Sequence, residues 1–338
     1  MGENPRGQYV AAYGSDPTHG LYRFAHGERG WQGSLLSVVD RLSALAWHPT
    51  LPVIYGVSGS EVGRVHAWNV SGSTASTLTD AESGGLEPCH VAVSPDGRRV
   101  VVTNYSSSNL MVWDVAADGS LVNAVALHLA GSGRDPERQE AAHPHQAVFE
   151  SGELRVVDLG TDAVRTFDWT GSAELRLTGG SPVPAGTGPR HMVQLADGAT
   201  AVSGELTSTL LVGDLASVGG WSVYPSTTVD TADGVRNYPG DIRASRDGHL
   251  VYLANRGNDT IATFRVVDTA AALVSEIDSG VTWPQHLAVV EDDLVVAGRG
   301  SSQVVALTLV DGVPSSAPRV LFDCPGAAWI LPEHASTG

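Results

Sequence analysis

The chain contains no lysine; all twenty of its basic residues are arginine. Schiff-base chemistry through a side-chain amine is therefore excluded, and any anion has to be held by guanidinium groups or backbone amides. Cysteine is nearly missing as well. Cys89 and Cys324 are the two present, too few for a disulfide framework and enough for at most one bridge. No apolar stretch approaches the roughly 18 residues that a membrane span needs. The opening MGENPRGQYV lacks the charged-then-apolar pattern of a signal peptide, so a cytoplasmic protein is expected. The formal net charge of -17 argues against nucleic acid and anionic membrane as partners, because both require a basic footprint. Surface charge is screened over about 8 Å at physiological salt, so arginines touching a ligand can still hold an anion locally.

Other chemical signatures are missing too. There is no Gly-rich phosphate loop, no Cys/His metal spacing and no nucleophile elbow. The pair His143-Pro144-His145 lacks nearby carboxylates to complete a metal shell. No metal and no cofactor are expected.

What the sequence does contain is one phrase written six times, beginning near Leu42, Pro88, His143, Gly188, Tyr238 and Trp283. Its fullest forms are PCHVAVSPDGRRVVVTNYSSSNLMVWDV from Pro88 and YPGDIRASRDGHLVYLANRGNDTIATFRV from Tyr238. Each reads as a strand, a tight turn such as Pro95-Asp96-Gly97, a second strand, a polar tip and a third strand. A more variable fourth segment, 121–129 after the second phrase, completes a four-stranded unit. Self-similarity at a spacing of about 45 to 50 residues, built from strands, predicts an all-β protein, a β-propeller. Six phrases give six blades, and the runs 9–24 and 327–331 together supply a seventh. Closure by both chain ends hides the sheet edges that an open array would expose. One domain over 1–338 is expected, with an ordered core of about 8–331, as a monomer. The longest insertion, 131–142, immediately precedes His143 and should overhang one mouth of the ring.

In an antiparallel hairpin the start of the first strand lies beside the end of the second. First-strand starts carry His90, His145, His191, Asp241 and His286, and second-strand ends carry Asn104, Asp158, Glu205, Arg256 and Arg299. If first strands line the channel, these residues ring one mouth, and Arg190 joins them. His90, Asn104, Asp158 and His286 suit hydrogen bonding between blades as well as contact with a ligand. His145, Arg190, Glu205 and Arg256 instead place strong chemistry where other repeats do not. Two arginines and a glutamate beside a channel are costly unless they pair or receive a ligand. We therefore expect these four to carry function, with His191, His90, Asn104, His286 and Arg299 as further substrate contacts.

The phrases HPHQAV at 143–148, GTGPRHM at 186–192, GEL at 204–206, DGHLVYLANRGNDTIATF at 247–264 and WPQHL at 283–287 resemble the seven-bladed lactonase family. That family includes the cycloisomerase-type 6-phosphogluconolactonases and the fungal carboxymuconate-lactonizing enzymes. The resemblance runs from Tyr9 to about Trp329 and implies an active site of His145, Arg190, Glu205 and Arg256. It implies hydrolysis of a small anionic sugar lactone, 6-phosphogluconolactone in the pentose phosphate pathway, without a metal. The alternatives are cyclisation of a carboxymuconate and a non-catalytic propeller that binds a ligand or partner. Two turns depart from the repeat, at Glu150-Ser151-Gly152 and Glu291-Asp292-Asp293.

Overall fold

A computed structural model describes residues 7–59, 62–150, 152–169, 175–215, 220–229 and 234–333. Seven antiparallel sheets are arranged so that each inner strand abuts the inner strands of the blades on either side, closing a ring. Blades 1 to 6 begin at Leu42–Trp47, Pro88–Val93, Pro144–Glu150, Pro189–Gln194, Tyr238–Ala244 and Pro284–Val290. The seventh takes its inner strand, Ala327–Pro332, from the C-terminal end and its other three, Gln8–Ala12, Gly20–Gly27 and Gly30–Val38, from the N-terminal end. The N-terminal contribution is thus one strand longer than the run 9–24 suggested. In blade 6 the outer position is shared by the short Val313–Pro314 and by Arg319–Asp323, both paired with Gln303–Val310. Ser151 of the third-blade turn lies outside the described residues.

The repeated turns have one construction. Ser94 donates to Asp96, Arg98 N–H donates to the same carboxylate, and Arg99 N–H donates to Ser94 Oγ. Ser245 and Asp247 repeat the pattern in blade 5. Among the described residues, the polar tips between second and third strands end on a left-handed residue in five blades: Ser108, Asp162, Ser208, Asp259 and Ser302. Four of these also reach the next blade: Ser302 Oγ accepts from Gly326 N–H and Ser208 Oγ from the Asn237 side-chain amide, and the two aspartates act likewise. Asp162 accepts from Gly188 N–H and Asp259 from Trp283 N–H, each just ahead of the next inner strand.

Alternation along the strands puts apolar side chains on both faces of each blade. The buried apolar clusters consequently lie between consecutive blades: Val101, Leu110 and Phe167 between blades 2 and 3, for example, and Val251, Leu253 and Leu210 between blades 4 and 5. The axis itself is left to polar residues, and a site can form there without sacrificing the core. No helix among the described residues is long and apolar enough to cross a membrane.

Candidate active site

Each of the six phrase-bearing inner strands carries a register shift near its start, between Leu42 and Ala44, Pro88 and His90, Pro144 and Gln146, Pro189 and Met192, Pro239 and Ile242, and Pro284 and His286. A bulge places two residues opposite one and re-aims side chains. In blade 4 the two are Arg190 and His191, opposite Ser203. Strict alternation would send these neighbours to opposite faces, yet both are buried and Arg190 Nη1 lies 3.4 Å from the His191 ring nitrogens.

The equivalent prolines define two tiers. Cys89, His145, Arg190, Gly240 and Gln285 follow the proline directly; His90, Gln146, His191, Asp241 and His286 come one step further along. His145 is therefore the counterpart of Arg190 rather than of His191. A similar one-residue slip corrects the second-strand ends. Tyr105, Leu159, Glu205 and Arg299 each donate a backbone N–H to the residue before their inner strand, and Arg256 stands opposite Tyr238 at the same level. Asn104 and Asp158 sit one residue earlier, and a one-residue slip reverses the face.

Asn104 is spent on Ser83, donating to its carbonyl and accepting from its hydroxyl. Asp158 accepts from His143 N–H, Gly160 N–H and Arg165. Both serve the scaffold. Tyr105, which the sequence reading passed over, occupies the mouth instead: its ring stacks on His143 at 4.4 Å and meets His145 edge-on at 5.8 Å. Aligning the residue after each second strand would have found it.

Glu205 is the centre of the mouth. Arg256 Nη2 donates to its Oε2 at 2.6 Å and Arg138 Nη2 to its Oε1 at 2.8 Å. Arg190 Nε lies 3.2 Å from Oε2 but is not aimed at it, and that buried nitrogen has no hydrogen-bond partner. Arg256 is steadied by Tyr238 O through Nε at 3.0 Å and lies 5.5 Å from the Trp283 ring centre. At Gly240 a Cβ would sit 2.9 Å from Arg256 Nε, so the glycine leaves room for that side chain.

Arg138 belongs to no repeat. It arrives on the 131–142 insertion, which folds over the mouth as its position suggested. The buried neighbour Gln139 pins this segment, accepting from Arg134 and Asp135 N–H and donating to Leu159 O. Glu140 Oε1 lies 3.1 Å from His143 Nε2, a nearby carboxylate that the sequence reading did not credit. Among the described residues, no group of three or more His, Cys, Asp or Glu is placed to hold a metal ion.

Beneath the mouth, the second tier is mainly imidazole, His90, His191 and His286, and first-tier His145 packs onto it. His145 packs edge-on to His191 at 5.1 Å, His191 to His90 at 5.9 Å, and His90 and His286 both meet Trp329. Asp241 ties the tier together, sitting 2.8 Å from His191 Nδ1 and accepting from Leu287 N–H at 2.8 Å, with Arg243 at 3.1 Å. Nδ1 of His145 and of His90 are buried without a hydrogen-bond partner. Arg299 stays apart from Glu205, its guanidinium 4.0 Å above the Tyr13 ring. Cys89 and Cys324 are both free thiols, so the single conceivable bridge does not form. Burial raises both, Cys89 to about 11 and Cys324 to about 12, which keeps them protonated.

Burial by itself would raise the Glu205 carboxyl, but Arg256, Arg190, His145 and Arg138 outweigh it and hold the group at about 2. Arg190 moves the other way, down to about 10, through burial and the neighbouring Arg256. His145 falls well below the ordinary histidine value because it is buried and faces Arg190 and His191. At neutral pH the mouth therefore holds an ionised glutamate, three guanidinium groups and a neutral imidazole.

The chain matches the family model described as "Lactonase, 7-bladed beta-propeller" over residues 8–314. It is 29% identical over 300 residues to the 6-phosphogluconolactonase of Bacillus subtilis, covering 82% of this chain and 83% of that protein. A crystal structure of a Lactobacillus plantarum protein superposes with a TM-score of 0.86 at 25% identity, over 98% of this chain and all of the other. The periplasmic gluconolactonase of Pseudomonas aeruginosa has the same fold, with a TM-score of 0.82 at 21% identity over 97% of this chain and 98% of that one. The closed seven-bladed ring, with the GPRH and NRG phrases at its mouth, places this chain in the seven-bladed β-propeller lactonase family.

Proposed function

We propose that this protein hydrolyses a sugar lactone bearing an anionic substituent, with 6-phosphogluconolactone the leading substrate. One observation carries the reading: three guanidinium groups converge on a single carboxylate, leaving an excess of positive charge at a largely buried mouth. Such an excess is costly unless an anion arrives to balance it. The Bacillus subtilis relative, named a 6-phosphogluconolactonase, supports the same substrate class.

The protonation states favour one division of labour. A carboxylate held at about 2 by its arginines is a poor proton acceptor at neutral pH, so Glu205 anchors Arg190 and Arg256 rather than activating water. His145, neutral and with Nδ1 unpartnered, takes the proton as water adds to the lactone carbonyl. The oxyanion that develops is held by Arg190 and Arg256. As the tetrahedral intermediate collapses, the carbon to ring-oxygen bond breaks and His145 returns its proton to that oxygen, giving the open hydroxy acid. Burial is the first cause that disfavours imidazolium at His145 and the charge of Arg190 the second; an anion bound at the arginines offsets the second and so strengthens the base when substrate is present. General acid-base catalysis is worth about 10²–10⁴, sufficient for a lactone that already opens in water. No metal or cofactor enters the scheme.

The test is a proton-release assay with freshly prepared lactones and purified protein. Turnover of the phosphorylated sugar lactone above the spontaneous rate, lost in His145→Gln, supports the reading. Turnover of a carboxymuconate with none of any sugar lactone would replace hydrolysis by cyclisation. Tight binding of the hydroxy acid with no conversion would make the protein a binding propeller.

A further inference from the structure

Arg138 differs from the other two arginines in origin and exposure. Arg190 and Arg256 lie on repeat strands and are almost fully buried, whereas the Arg138 side chain is 36% exposed and comes from the insertion. Its guanidinium spans Glu205 Oε1 at 2.8 Å and the Tyr105 hydroxyl at 3.5 Å. It therefore forms the solvent-side wall of the mouth, opposite the strand-borne pair that faces the reacting carbonyl in the proposed mechanism.

The backbone that carries it is held without that contact. Gln139 fixes the segment through the backbone of Arg134, Asp135 and Leu159, and Asp135 caps the N–H groups of Glu137 and Arg138. The side chain is thus presented by a prebuilt segment and can exchange its glutamate partner for a ligand without unfolding anything. A phosphate monoester carries about -1.5 to -2 charges at neutral pH and offers three acceptor oxygens to a planar fork of donors.

We propose that Arg138 is a specificity-determining residue that recognises the distal phosphate of the substrate, releasing part of its contact with Glu205 as it does so. This rests on the lactonase reading above and adds to it: the strand arginines serve the carbonyl, and the insertion arginine selects for the phosphorylated sugar. The role is one of ligand contact, so its signature is selectivity rather than overall rate.

The experiment compares native protein, Arg138→Gln and Arg138→Lys on a phosphorylated sugar lactone and on the same lactone without phosphate, with calorimetric binding of the phosphorylated hydroxy acid measured in parallel. One lost charge-assisted contact predicts that Arg138→Gln lowers kcat/KM at least about tenfold more for the phosphorylated lactone than for the plain one. The loss should fall mainly in KM, and lysine should restore part of it. Affinity for the phosphorylated acid should fall in step. Equal losses on both lactones, or no change on either, would overturn the assignment while leaving hydrolysis intact. If native protein turns over neither lactone, the functional reading fails, and the binding measurement still decides whether Arg138 holds phosphate.

Discussion

Arg256 Nη2 lies 2.6 Å from Glu205 Oε2, joining two neighbouring blades across 51 residues of sequence. Each partner ends or follows a second strand and is positioned by an inner strand it does not belong to. The ion pair is therefore a joint between blades as well as part of the site.

Glu205→Gln should weaken both roles. Removing the carboxylate leaves Arg190 and Arg256 buried and unpaired, which predicts a loss of about 3–5 kcal/mol in urea unfolding. Inorganic phosphate should restore part of that stability in the variant, because an anion that binds only the folded state stabilises it by mass action. A variant as stable as the native protein would show that the pair contributes nothing net.

The channel histidines predict sensitivity to mild acid. Burial first, then nearby arginine charge, lowers His145 and His191 well below the ordinary value and His90 to about 3; burial likewise lowers His286, with Asp241 opposing it and Arg243 adding to it. The unfolded chain takes up protons on these groups below about pH 6.5 while the folded one does not, so stability falls as pH drops through that value. Each such histidine contributes about 1.4 kcal/mol per pH unit below it. Glu205 adds to the trend further down, since its depressed value stabilises the fold above about pH 4.5 and loses that effect toward about pH 2. Thermal unfolding from pH 8 to 5 checks this; a flat melting temperature would contradict the neutral-imidazole account.

Asp241 predicts a structural penalty of a different kind. It is completely buried and serves His191, Leu287 N–H and Arg243 at once. Asp241→Asn should cost about 3 kcal/mol or more and loosen blades 4, 5 and 6 together, measurable as faster amide exchange in all three. Exchange confined to blade 5 would refute the linkage.

Asn104 and Tyr105 separate scaffold from site at adjacent positions. Asn104→Ala should lower stability by about 1–3 kcal/mol with KM unchanged, because its amide is committed to Ser83. Tyr105→Phe should raise KM with little loss of stability, since only the hydroxyl near Arg138 is removed. The reverse pattern would restore the register read from the sequence.

Much of this was legible in the residues themselves. The phrases from Pro88 and Tyr238 announced the meander, and strand counting from both chain ends announced the closure. Arg190, Glu205 and Arg256 were singled out because each replaces a milder residue, and the structure brings them into one cluster. The slip at Asn104 and Asp158 arose because a polar residue closes the ladder in both blades and draws the eye from Tyr105 and Leu159 behind it; a backbone hydrogen bond, invisible in sequence, decides which faces the mouth. The bulges had the same effect on the inner strands, making His145 the positional counterpart of Arg190 although its ring packs against His191. Arg138 was hidden for another reason. No repeat contains it, and the buried Gln139 together with the Asp135 cap brings that segment back over Glu205.

The most direct test of the central claim is the initial rate of hydrolysis of freshly generated 6-phosphogluconolactone near pH 6.5, with native protein, Glu205→Gln and native protein treated with EDTA run side by side. The account predicts a rate well above background for native protein, unchanged by EDTA, and at least about a hundredfold lower in the variant, as for loss of the group that orders the oxyanion-stabilising arginines. A native rate equal to the spontaneous one, or a variant as active as native, would contradict it.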